Sequence, residues 1–164
     1  MEWQKKNILI IGMARSGISS AKICAKLGGK VKIQDIKTRE QLISQMKDEI
    51  NILERMGIQL ILGEDPAEII EKQDLIILSP GVPTDLEFIQ NAKRMKIPVW
   101  SEIELGYVLC SCPIVAITGT NGKTTTTTLV GKIMKEYVSG TYVVGNIGTP
   151  FTDEVGKIKE EDCV

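Results

Sequence analysis

Short apolar runs alternate with helix-length segments along this chain. That alternation restricts the folds open to it more than any other feature. NILIIG (7–12), VKIQD (31–35), IQLIL (58–62), DLIILS (74–79), IPVW (97–100), PIVAIT (113–118) and TYVVG (141–145) read as strands. Several have almost no polar residue to turn toward water, the pattern of strands covered on both faces. Helices are expected near 16–28, 39–56, 66–72, 85–95, 101–109 and 123–137. Strands and helices in this order build a parallel α/β sheet with right-handed crossovers. Gly28-Gly29 and Gly57 end the first two helices, as glycine commonly does. Ser101 and Glu104 stand at capping-box spacing, whereas Asp85 is a cap whose N3 partner, Phe88, cannot complete the box.

Composition then removes whole classes of function. At 164 residues, 43% hydrophobic and 25% charged, the chain can pack one ordinary domain or two small ones. A net charge of −1 provides no basic field for a nucleic acid. Any phosphate binding must therefore come from local geometry. The chain contains no histidine, which excludes a Ser-His-Asp or Cys-His hydrolase. Chemistry is left to lysine, carboxylates, backbone N–H groups and a bound metal. Cys24, Cys110, Cys112 and Cys163 read as reduced thiols; only Cys110 and Cys112 are close, and nothing completes a zinc set. The N-terminal apolar run is too short for a signal peptide, and no stretch approaches the roughly 20 apolar residues that span a bilayer. A cytoplasmic protein with neither nucleic-acid nor membrane partners is expected.

Two glycine turns carry the chemistry. In AITGTNGKTTTTTLV (116–130) the strict phosphate-loop pattern would need a glycine at 117, where Ile117 stands. The context nevertheless suits a phosphate cradle: an apolar strand, a compact turn from Gly119 to Gly122, and a helix opening at Lys123. Leu129, Ile133 and Tyr137, with Val130 and Met134 beside them, give that helix an apolar face. Threonine is a poor helix former, but at a helix N-terminus hydroxyls and open N–H groups can meet phosphate and Mg²⁺. Lys123 is expected to neutralise phosphate charge and Thr124 to hold Mg²⁺, as in nucleoside triphosphate sites. The alternative is an ordinary strand-to-helix turn with an exposed lysine.

The other turn lies in NILIIGMARSGISSAKICAKLGGKVKIQD (7–35). Gly12, Ala14 and Gly17 occupy the three glycine positions of a dinucleotide fingerprint, and Asp35 follows Gly17 by 18 residues, near the usual place of a ribose-binding acid. Ala14 adds a methyl where a pyrophosphate approaches the backbone, which counts against NAD. Arg15 adds a cation at the same helix start. Glycines serving only tight strand–helix packing are the plainer alternative.

The loop AITGTNGKTTT resembles the ATP-binding loop of the Mur ligase superfamily, which also includes folylpolyglutamate synthetase. These enzymes phosphorylate a carboxylate and join the acyl phosphate to an amine. LSPGVP (78–83), SEIEL (101–105) and GNIGTP (145–150) are similar, in the same order, to turns of the family branch that adds D-glutamate to UDP-N-acetylmuramoyl-L-alanine. The resemblance runs over essentially the whole chain. It implies a Rossmann-like parallel-sheet domain at 1–95 that binds the UDP of the substrate, followed at 96–164 by the truncated start of a P-loop central domain. It further implies ATP and Mg²⁺ as cofactors. Arg15 and Ser16 then face the uridine diphosphate, Asp35, Ile36 and Lys37 the uracil side, and Ser79 and Gly81 a second uridine-side turn. Gly119, Thr120, Asn121, Gly122, Lys123, Thr124 and Thr125 form the ATP loop, with Lys123 and Thr124 catalytic, and Asn146 meets the muramoyl group. At Ile36-Lys37 the family often has Thr-Arg instead. Rival readings are a Mur ligase of different amino-acid specificity and a nucleotide-binding module without catalysis. The end of the chain at EEDCV reads as the opening of a further strand, so the sequence is expected to be the N-terminal part of a longer enzyme and inactive alone. Lys47–Glu49 and Glu68–Lys72 are read as solvated helix faces, and Glu102 and Glu104 as a cap and a surface group.

Overall fold

The computed structural model describes residues 2–146 and 148–164. Five strands form one parallel sheet: β1 (Asn7–Ile11), β2 (Lys30–Asp35), β3 (Gln59–Leu62), β4 (Leu75–Leu78) and β5 (Val99–Ser101), in the order β3-β2-β1-β4-β5. The helices are α1 (Arg15–Lys26), α2 (Arg39–Arg55), α3 (Glu87–Arg94), α4 (Glu102–Leu109), α5 (Lys123–Tyr137) and α6 (Phe151–Glu154). This is the Rossmann-like α/β arrangement that the alternation implies.

The two-residue period of a strand explains the layering. Ile8 and Ile10 of β1 point to one face, with Ile33, Leu75 and Ile77, under α1, α2 and Leu105 of α4. Leu9 and Ile11 point to the other, with Ile76 and Leu78, under Ile70 and the Ile89–Ala92 side of α3. Because β1 is buried on both faces, each of its isoleucines contributes about 1.5–3 kcal/mol by leaving water. β2 and β4 pair with β1 on its two sides, Ile10 opposite Ile33 and Ile77. The chain therefore reverses its winding direction at β1, and the C-terminal ends of β1 and β4 form the switch point at which sheets of this kind leave a crevice for ligands.

Several elements depart from the sequence reading. The helix expected at 66–72 is a 3₁₀ helix (Pro66–Lys72), opened by Asp65, whose carboxylate accepts the Ala67 N–H at 2.9 Å. α3 begins at Glu87 behind Leu86, and Asp85 does not cap it. β5 belongs to the first sheet, which therefore runs on to Ser101, past residue 95. The expected strands at 113–118 and 141–145 are extended chain without a strand ladder; Thr141 and Val144 form only isolated bridges. Residues 163–164 lie between the two segments: the Val115 N–H donates to the Val164 carbonyl (2.7 Å) and the Tyr142 N–H to the Cys163 carbonyl (2.8 Å). A strand is defined by a continuous partner, and two residues of partner are too few. α6 is unforeseen, being shorter than the periodicity that would signal it. It is held by Phe151, which packs so closely on Gly106 of α4 that a Cβ there would lie 2.4 Å from the ring.

Candidate functional site

The first crevice is built by three backbone turns locked together. Gly12, at φ +93°, turns the chain out of β1, and its N–H donates to the Gln34 carbonyl at 2.8 Å. The buried Ser79 hydroxyl, at the end of β4, donates to the Gly12 carbonyl at 2.8 Å. Asp35, at the end of β2, accepts the Met13 N–H on one carboxylate oxygen (2.8 Å) and the Lys37 N–H on the other (3.0 Å). Gly17 brings α1 against the turn: a Cβ there would stand 1.9 Å from the Gly12 carbonyl oxygen. The glycine spacing and the acid thus have structural work at this turn. Above them, α1 starts behind Ala14 with no side-chain cap and no acidic residue in its first turn. Its first N–H groups point outward beside the exposed Arg15 and the half-buried Ser16, an arrangement that favours an anion. Ile36, Lys37 and Gly81 are exposed around this mouth.

The second turn is less enclosed. Gly122, at φ +76°, is the N-cap of α5, and residues 119–126 are all exposed. The Lys123 amino group folds back over its own turn, donating to the Gly119 carbonyl and, at 3.4 Å, to that of Thr120. The first turn of α5 carries no acidic residue. Of the threonines, Thr128 returns its hydroxyl to the Thr124 carbonyl at 2.8 Å, within the helix. Lys123, Thr124 and Asn146 line one cavity of about 550 Å³, whose deeper wall is Ile114, Val130, Met134 and Val143. Leu129, Ile133 and Tyr137 point away from it and are exposed, so the expected apolar face of α5 is split between cavity and surface.

The Cys110 and Cys112 thiols lie 3.5 Å apart as free thiols. Burial, then the hydrogen bond with Cys110, raises the Cys112 thiol to about 11.

A family described as Mur ligase MurD-like, N-terminal domain, matches residues 6–101. The chain belongs to the MurD-like Mur ligases. It is 44% identical over 166 residues to the UDP-N-acetylmuramoylalanine--D-glutamate ligase of Alkaliphilus oremlandii, covering 100% of this chain and 36% of that protein. With the enzyme of the same name from Clostridioides difficile the identity is 42% over 165 residues, again 100% of this chain and 36% of the relative. The chain thus spans about 36% of the length of these relatives. Among solved structures, a pseudomurein peptide ligase type C from Methanothermus fervidus matches with TM-score 0.52 and 28% identity, over 80% of this chain and 26% of that one.

The region matched to the MurD-like domain takes in the whole β1–β5 sheet and its crevice and ends at β5. In this MurD-like chain Arg15, Ser16, Asp35, Ile36, Lys37, Ser79 and Gly81 gather around the ends of β1, β2 and β4, whereas Lys123, Thr124 and Asn146 line the cavity and Gly119, Thr120, Asn121, Gly122 and Thr125 do not. One polar cluster escaped the sequence. Glu104 completes the capping box with Ser101, as expected. Glu102 is neither cap nor surface group: it is buried and takes hydrogen bonds from Thr152. No local pattern announces this, because the partner lies 50 residues away. No helix among the described residues is long and apolar enough to cross a membrane.

Proposed function

We propose that this chain supplies the uridine-nucleotide domain and the phosphate turn of a cytoplasmic ligase that adds D-glutamate to UDP-N-acetylmuramoyl-L-alanine at the expense of ATP. The observation that carries the reading is the crevice where strand order reverses, in a chain whose residues 6–101 match the MurD-like N-terminal domain. Arg15, Ser16 and the open N–H groups of α1 would hold the diphosphate. Ile36, Lys37 and Gly81 would border the uridine, while Asp35 and Ser79, committed to the backbone, keep the turn in shape. Residues 102–164, after the last strand of the first sheet, would belong to the ATP domain.

The 119–125 turn fits a triphosphate in its chemistry: an exposed glycine turn, an uncapped helix start free of acids, and one lysine. ATP with Mg²⁺, when bound, would supply the phosphoryl group that activates the substrate carboxylate. Lys123 would leave the Gly119 and Thr120 carbonyls to hold phosphate oxygens, Thr124 would offer its hydroxyl to the metal, and Asn146, lining the same cavity, would orient the muramoyl end. In an enzyme of the relatives' full length, Lys123→Ala is expected to reduce turnover by at least about a hundredfold, the scale of removing one charge-stabilising group.

Calorimetric titration of the 164-residue chain with UDP and with NAD tests the nucleotide assignment. UDP should bind the more tightly; tighter binding of NAD overturns it.

A further inference from the structure

Glu102 opens α4 directly after its Ser101 cap, a place where a carboxylate is favoured by the helix dipole and ordinarily stays in water. Here it is only 2% exposed. One of its oxygens accepts both the N–H (2.7 Å) and the hydroxyl (2.9 Å) of Thr152, itself 4% exposed. The Thr152 oxygen also lies 2.7 Å from the hydroxyl of buried Ser19. Since the single Thr152 proton points at the carboxylate, Ser19 is the donor in that third bond.

The three residues come from three elements. Ser19 is one helical turn beyond Arg15 and Ser16 on α1. Thr152 lies in the first turn of α6, six residues after Asn146. Glu102 belongs to α4, whose Gly106 receives Phe151. Apolar packing alone is non-directional, whereas a buried carboxyl oxygen with two donors fixes direction and register, because losing either donor is costly. None of the three residues lines the cavity.

We infer that Glu102 is a positioning residue: by gripping Thr152 it fixes the start of α6, six residues after Asn146, against α1, so that Asn146 and the α1 turn are held in register for the two ends of an extended nucleotide-sugar ligand. The inference rests on the proposed role of Asn146. It predicts that the latch matters only to a ligand long enough to touch both ends.

The test compares the wild-type chain with Glu102→Ala and Glu102→Gln by amide hydrogen exchange and by titration with UDP and with UDP-N-acetylmuramoyl-L-alanine. Trp3 and Trp100, which pack edge to face in the first sheet's core, report whether that core remains folded. Glu102→Ala should speed exchange around Thr152 and leave β1 and β4 protected. It should weaken the long ligand about tenfold, the scale of a lost hydrogen bond to a charged group, and leave UDP unchanged. Glu102→Gln keeps an oxygen for both Thr152 donors and should restore most of the exchange protection and of the affinity. Unchanged exchange in Glu102→Ala, an equal rise in exchange through β1 and β4, or an equal loss of UDP affinity would each overturn the inference. If the wild-type chain binds both ligands equally, the Asn146 assignment falls, and the exchange result alone decides whether the latch exists.

Discussion

The molecule contains two units in which an apolar segment, a glycine turn and a helix follow one another, and they are held to very different degrees. In the first, β1 is paired on both sides, its isoleucines are buried, and α1 buries Ile18, Ala21 and Cys24 against the sheet. In the second, the only backbone hydrogen bonds of residues 113–118 among the described residues are with Val164, and α5 buries a single residue, Gly131. The first turn is clamped by Ser79 and Asp35; the second is closed only by its own lysine. An apolar hexapeptide before a glycine turn is therefore not enough to make a strand. Neighbours must supply the ladder, and β1 has two of them.

The largest expected contrast is in the cores. Ile77→Ala, at a residue 1% exposed, should cost about 2–5 kcal/mol. Ile133→Ala, at a residue 49% exposed, should change stability by less than about 0.5 kcal/mol. Urea unfolding followed by tryptophan fluorescence measures both, and a comparable loss for Ile133→Ala would show that α5 is buried in solution and break the comparison.

The glycines sharpen it. Gly17→Ala pushes a methyl into the Gly12 carbonyl and the Ser79 hydroxyl, overpacking expected to cost at least about 1–3 kcal/mol. Gly122→Ala meets nothing within 4 Å, and only its φ of +76° is unfavourable, a cost of about 1–2 kcal/mol. If the same unfolding experiment ranks Gly122→Ala as the more damaging, the second turn is more constrained than its open surroundings imply.

Thiol labelling at pH 8 should separate the regions by rate. Burial raises Cys24, in α1, from 9.0 to about 12, so it stays a neutral, inaccessible thiol until the sheet opens. The half-exposed Cys110 should react first. The raised value has a sign for stability as well. The contribution of neutral Cys24 is complete below 9.0, where the unfolded thiol would ionise, and is lost as pH rises toward about 12. Cys24→Ala should flatten the stability profile in that window. A profile as steep as the wild type would assign the loss to other groups.

The smallest effect is expected at the Arg39–Glu54 pair, 2.7 Å long and exposed at both ends. Its hydrogen bond holds the Glu54 carboxyl below its usual range, so any contribution is present near neutrality and fades as pH falls through that lowered value. Being solvated, it should be barely measurable, and Arg39→Ala should leave the melting temperature at pH 7 nearly unchanged. A clear drop would mean that α2 depends on this pair more than on Leu42, Ile50 and Leu53.

Local sequence was sufficient wherever one segment carries its own instructions. The parallel α/β class follows from alternating apolar and amphipathic stretches, the starts of α1 and α4 from Gly12 and from the Ser101–Glu104 box, and the α5 N-terminus from Gly122-Lys123. The turns at the ends of β1 and β4 were legible for the same reason, since glycine turns and strand ends are local features. Three things were decided only by tertiary structure, and each depends on a partner far away in the chain. Whether PIVAIT becomes a strand depends on a partner ladder, and Val164 supplies only two backbone bonds to it. Whether Asp35 and Ser79 face a ligand or the backbone depends on the Gly12–Met13 turn, 22 residues from Asp35 and 67 from Ser79. Whether Glu102 lies in water or in the interior depends on Thr152 and, through it, on Ser19, 133 residues from that threonine. Hydrogen-bond partners of this kind are selected by packing, because a buried polar atom must find whichever donor the fold brings to it, and no periodicity in the sequence records which one that will be.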